Sequence, residues 1–172
     1  MTTAHIVKNG LLAAVLGLTA ATAWGQSMDA AEFVDEATAK GIAEIETSKL
    51  AIEKSDNTEI TSFAEKMIDE HTKANEKMRD LAMEKNLEVS DDATLMDQGK
   101  AMILQLRDGE DFNEAYTNNQ VVAHEQTIEL FETASENVDD EEVRKLAEEM
   151  LPKLREHLAK AQELQAMTEA QQ

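Results

Sequence analysis

Residues 60–81 read ITSFAEKMIDEHTKANEKMRDL. Ile60, Phe63, Ala64, Met67, His71, Ala74, Met78 and Leu81 recur three and four apart, the spacing of a helix with one buried face. An imidazole, His71, stands inside that apolar stripe. Working outward, a shift of 83 residues lays 44–68 over 127–151 without a gap. Nine of those 25 positions are identical, among them Ala64/Ala147, Glu65/Glu148 and Met67/Met150. Phe63/Leu146, Ile60/Val143 and Ile68/Leu151 are apolar exchanges. Matching apolar positions on both sides of a matching polar break imply one helical hairpin used twice.

The same periodicity sets four long helices at roughly 29–54, 57–86, 111–137 and 140–167. Phe33, Val34, Ala37, Gly41, Ile45, Ser48 and Ile52 face inward on the first. Phe112, Tyr116, Val121, His124, Ile128 and Phe131 do so on the third, and Val143, Leu146, Met150, Leu154, His157, Ala161 and Leu164 on the fourth. Asp56-Asn57 and Asp139-Asp140 are the breaks, short polar side chains that stop one helix and cap the next. Residues 86–92 are polar, and 93–106 read as a short amphipathic helix through Leu95, Met102, Ile103 and Leu106. That connection is long enough to run the length of a bundle. Pro152 falls inside the fourth helix and predicts a bend, either to wrap the helix on its core or to aim His157.

Composition narrows the function. The chain carries 36 Asp and Glu against 16 Lys and Arg, a net charge of −20. Nucleic acid is excluded as a partner, because so acidic a surface gains nothing from counterion release at phosphates. Six glycines, one proline and 3% aromatic residues leave little for a β-sandwich or barrel. Residues 1–23 have the layout of a cleavable signal peptide: Lys8 in the leading region, an apolar run over 10–20, and small residues at Ala21 and Ala23. Gly25 is the alternative cleavage point. The apolar run is too short to span a bilayer, so the mature chain, 24–172, is expected as a single four-helix-bundle domain that does not cross a membrane. No cysteine is present, so neither a lipid anchor on cysteine nor a disulfide contributes. The periplasm is the expected compartment, with outer-membrane association or release outside the cell as alternatives.

Three histidines remain beyond the signal segment, His71, His124 and His157, one on each of three helices. With a rise of ~1.5 Å per residue, His71 lies about 22 Å and Glu44 about 18 Å from the first break, and His124 about 22 Å and His157 about 27 Å from the second. In a bundle about 40 Å long, all four fall near mid-height whichever way the hairpins point. Buried without partners they would be costly, so they are expected to satisfy one another, a water or a metal. Three imidazoles and a carboxylate suit one zinc, iron, manganese or copper ion, and Met67 and Met150 are weaker candidates that would favour copper(I). A di-iron site needs Glu-x-x-His on two helices. Ile68, Val121 and Leu154 occupy the position three before each histidine, which argues against a metal-dependent oxidase. No nucleophile and base pairing or phosphate-binding glycine loop is apparent, so the reading leans away from an enzyme.

Phe33…Gly41…Glu44, Phe63-Ala64-x-x-Met67…His71, Asp111-Phe112-x-x-Ala115-Tyr116…His124-x-x-x-Ile128-x-Leu130-Phe131 and Leu151-Pro152-x-Leu154-x-x-His157-Leu158 together resemble the exported family catalogued as domain of unknown function 4142. The resemblance spans about 31–165. It implies a ferritin-like four-helix bundle and an envelope location, and it carries no established activity. Two functional readings follow. One is a non-catalytic envelope, stress or partner-binding module whose His and Glu layer is structural. The other is a periplasmic mononuclear metal-binding protein using Glu44, His71, His124 and His157.

Overall fold

The computed structural model describes residues 27–89 and 91–170, so the expected signal peptide and both cleavage points lie outside the described residues. The chain is all-helical: α1 (Ala30–Lys54), α2 (Thr58–Lys85), α3 (Leu95–Gln105), α4 (Gly109–Asn137) and α5 (Glu141–Glu169), with no strand among the described residues. The breaks work as their side chains dictate. Asn57 accepts from the Glu59 and Ile60 amides at 2.9 and 3.3 Å, and Asp140 from Glu142 and Val143 at 2.9 and 3.1 Å. Each cap satisfies amides that a helix start leaves without partners. At the other end of α2, Asn86 adopts the left-handed conformation (φ 56°) that ends a helix.

Two hairpins, α1–α2 and α4–α5, pack against each other through α1 on α4 and α2 on α5. Their turns lie at opposite ends. Met28, just before α1, bridges to Val138 in the α4–α5 turn, while Lys54 at the end of α1 reaches Asp108 before α4 at 2.8 Å. Lys85, closing α2, binds Asp140 at 2.8 Å and also Glu142 at the start of α5. The segment carrying α3 therefore runs the full length of the molecule between the hairpins. Among the described residues no helix is long and apolar enough to cross a membrane.

Helix α3 departs from expectation. Leu95, Met102, Ile103 and Leu106, read as its packing face, are all exposed, and Leu104 alone on that helix is buried. Eleven residues touching mainly one side of α1 and α4 cannot bury a full stripe. Elsewhere the register shifts by single residues: Ile52 is exposed, and Asn75 rather than Ala74 points inward. Helix α5 continues through Pro152, whose side chain faces solvent.

The interior is divided. One apolar cluster, near the α4–α5 turn, gathers Phe33, Val34, Met78, Phe131, Val143 and Leu151, with Phe33 and Phe131 edge-to-face at 5.1 Å. A second, near the α1–α2 turn, holds Ile60, Phe63, Met67, Phe112, Tyr116 and Leu164. Between them lies a buried polar band that includes Glu44, Ser48, His71, Asn75, Gln120, His124 and His157. Gly41 admits one member of that band. A β-carbon there would overlap the Asn75 amide, which donates to the Thr38 carbonyl at 3.3 Å. We expect Gly41→Ala to cost about 1–3 kcal/mol through this overlap. Asn75→Ala in the same chain should restore part of the loss, so thermal unfolding of both single variants and the double variant should reveal a coupling of at least about 0.5 kcal/mol. Strict additivity would mean the close approach is not the cause.

Candidate metal centre

Helices α2, α4 and α5 each place one imidazole in the polar band, because each histidine sits at an inward position of its own apolar stripe. The three ring centroids form a nearly equilateral triangle with sides of 5.5, 5.4 and 5.4 Å. His124 is 1% exposed, His157 2% and His71 6%, so the triangle is closed to bulk water. One nitrogen from each ring comes within 4.8 Å of the other two.

Two of the rings are held by hydrogen bonds on their outer side. His124 Nδ1 lies 2.8 Å from the Gln120 carbonyl oxygen, one turn back on α4. Since a carbonyl can only accept, Nδ1 carries the proton and Nε2 keeps a free lone pair. His157 Nε2 pairs with Glu70 Oε2, a carboxylate acceptor, so its free nitrogen is Nδ1. His124 Nε2, His157 Nδ1 and His71 Nε2 are all buried without a hydrogen-bond partner. A buried imidazole with one nitrogen anchored to a carbonyl or carboxylate and the other free is the usual state of a metal-ligating histidine.

Glu70 was not legible as a site residue. It precedes His71 on α2, where the helical period points it toward the surface, and its side chain is 24% exposed. Its contact with α5 exists only because the two hairpins pack as they do. The carboxylate singled out from sequence, Glu44, is buried at 4% but does not belong to the three-histidine group. It faces Gln120, whose amide favours the ionised carboxyl, yet Glu44 Oε2 and both polar atoms of Gln120 lack well-formed hydrogen bonds. Met67 and Met150 lie on opposite sides of the polar band. Met67 is fully buried in one apolar cluster, and Met150 packs at the rim of the other.

Burial pushes all three imidazoles below their ordinary range. His71 is lowered well below 6.5 by burial and then by His124 and His157. His124 falls to about 4 by burial, against the opposing Gln120 carbonyl, and His157 is lowered by burial against the pull of Glu70. All three imidazoles are therefore neutral at neutral pH. Burial also raises Glu44 from 4.5 to about 8, so its carboxyl is largely protonated in the fold.

The chain belongs to the family described as Domain of unknown function (DUF4142), whose model matches residues 16–164. Among curated proteins, none matches it in sequence. In three dimensions it is similar to the DUF305 protein of Streptomyces coelicolor, described as secreted, with a TM-score of 0.69 and 16% identity over 81% of this chain and 91% of that one. It is also similar to CopM in its Cu(II)-bound form, with a TM-score of 0.65 and 12% identity over 82% of this chain and 98% of that one.

These titrations predict opposite slopes in stability. A histidine depressed in the fold contributes stability that is present above its unfolded value of 6.5 and lost as pH falls toward about 4 for His124. Glu44, raised in the fold, contributes stability that is present below 4.5 and lost as pH rises through about 8. We expect Glu44→Gln to gain on the wild type by about 5–10 °C in Tm between about pH 5 and pH 9. A His71→Gln, His124→Gln, His157→Gln variant should lose the acid-side decline. Thermal unfolding across that range checks both, and curves parallel to the wild type would mean these groups reach water in the fold.

Proposed function

We propose that this is an exported, ferritin-like four-helix-bundle protein whose His71, His124 and His157 bind one divalent transition-metal ion, with copper preferred. One observation carries the reading: three buried, neutral imidazoles converge with one unpartnered nitrogen each. A structural polar layer would satisfy those nitrogens within the protein, since a buried acceptor left alone costs about 1–3 kcal/mol. An ion at the centre of a triangle with edges of 4.8 Å sits about 2.8 Å from each corner. Inward motion of under about 1 Å per ring reaches the ~2.0 Å of a metal–imidazole bond.

Neutral imidazoles suit copper(II), zinc, iron(II) and manganese, and the intrinsic affinity order places copper highest. The likeness in fold to a copper-bound protein agrees with that order. Glu44 is a neutral acid elsewhere in the same buried polar band. The segment 1–23 would direct export, most simply to the periplasm. With one histidine per helix and no paired carboxylates among the three, the role favoured is binding, transport or buffering of the ion, not turnover.

The test is elemental analysis, together with titration of metal-free, untagged protein with Cu(II) and Zn(II) at about pH 7. We expect one ion per chain, a rise in Tm with ligand concentration, and an affinity loss of about 100-fold or more in His124→Ala and in His157→Ala. Cooperatively folded protein that takes up neither ion would refute the proposal and leave the polar band a structural feature.

A further inference from the structure

The triangle is sealed on nearly all sides, so an ion needs a way in, and the geometry points to the seam between α2 and α5 as that way, with Glu70 as the carboxylate that receives the ion and Lys153 as the cation that holds its place. This inference rests on the metal-binding reading above. The seam is the least closely packed of the four between the long helices. Along it runs a groove of about 740 Å³ lined by Ser62, Phe63, Lys66, Glu156 and Ala159 among others. Its lining reaches Lys66, one turn before Glu70 on α2, and Glu156, the neighbour of His157 on α5.

At that point four charged groups close the seam. Lys66 binds Glu156 at 2.5 Å, Lys153 binds Glu156 at 2.9 Å, and Lys153 also stands 3.6 Å from Glu70 Oε1. The other oxygen of the same carboxylate holds His157. Glu70 thus has one oxygen turned to a triad ring and the other turned to a half-exposed ammonium. An arriving divalent cation competes with that ammonium for Oε1 and outweighs it in charge. An ion held there sits on the Nε2 side of His157, and a turn of that ring is the step that would bring its unpartnered Nδ1 to the ion. Because the half-exposed ion pairs at the seam are individually weak, opening it costs little.

Glu70→Gln and Glu70→Ala separate this role from simple support of His157. The glutamine oxygen can still accept the His157 Nε2 proton, so the ring keeps its orientation, while the charge that draws the cation is gone. Loading would be followed by stopped-flow mixing of metal-free protein with Cu(II) held by a chromophoric chelator, with folding checked by circular dichroism. We expect Glu70→Gln to load about tenfold or more slowly with its affinity lowered by less than about fivefold, whereas Glu70→Ala loses both rate and affinity. Lys153→Met should load and release the ion several-fold faster. Lys145→Met, the same charge change on an exposed pair with Glu141 about 12 Å along α5 from Lys153, toward the α4–α5 turn end of the seam, should match the wild type. Wild-type loading rates in Glu70→Gln, or equal acceleration by Lys153→Met and Lys145→Met, would overturn the route while leaving the metal site intact. A wild type that binds no Cu(II) would overturn the site and the route together.

Discussion

Everything in the interior is arranged around three imidazoles too close together, and too far from water, to be charged. Rings 5.4–5.5 Å apart repel one another when protonated, and burial opposes protonation further. Neutrality is therefore imposed on them by position. It also fixes which lone pairs face inward, because the Gln120 carbonyl and the Glu70 carboxylate can take only protons from the outer nitrogens. The two apolar clusters then fill what remains on either side of the band, and Gly41 lets α1 approach α2 closely enough for Asn75 to lie inside it.

The acidic exterior and the polar interior obey separate rules. Outside, Lys145 holds Glu141 in its ionised form and Lys73 pairs with Asp69, both in exposed positions. Such exposed pairs contribute little stability. Inside, Glu44 is held mostly in its protonated form by the same absence of water that keeps the histidines neutral. One side-chain type thus carries two charge states, decided by depth alone.

Helix positions were legible because period and caps agree: Asn57 and Asp140 stop and start helices by local hydrogen bonds that do not depend on the partner hairpin. The meeting of His71, His124 and His157 was legible from their heights along helices of known rise. What could not be read depends on how the hairpins are rotated against each other. Glu44 lies at the expected height but faces Gln120. Glu70 looks solvent-facing from its own helix and becomes a partner of His157 only across the α2–α5 seam. The apolar residues of α3 carry a helical period whose face finds no counterpart of sufficient length, so periodicity alone overstated its burial.

The division of the core also bears on how the molecule holds together. Although the chain reads as one hairpin written twice, neither apolar cluster belongs to a single hairpin. Phe33 and Met78 meet Phe131 and Val143 in one, and Ile60 and Met67 meet Phe112 and Leu164 in the other. The histidine triangle likewise takes one ring from the first hairpin and two from the second. Duplication in the sequence has therefore not produced two self-contained halves: each hairpin supplies only part of every interior surface, and neither encloses a core of its own.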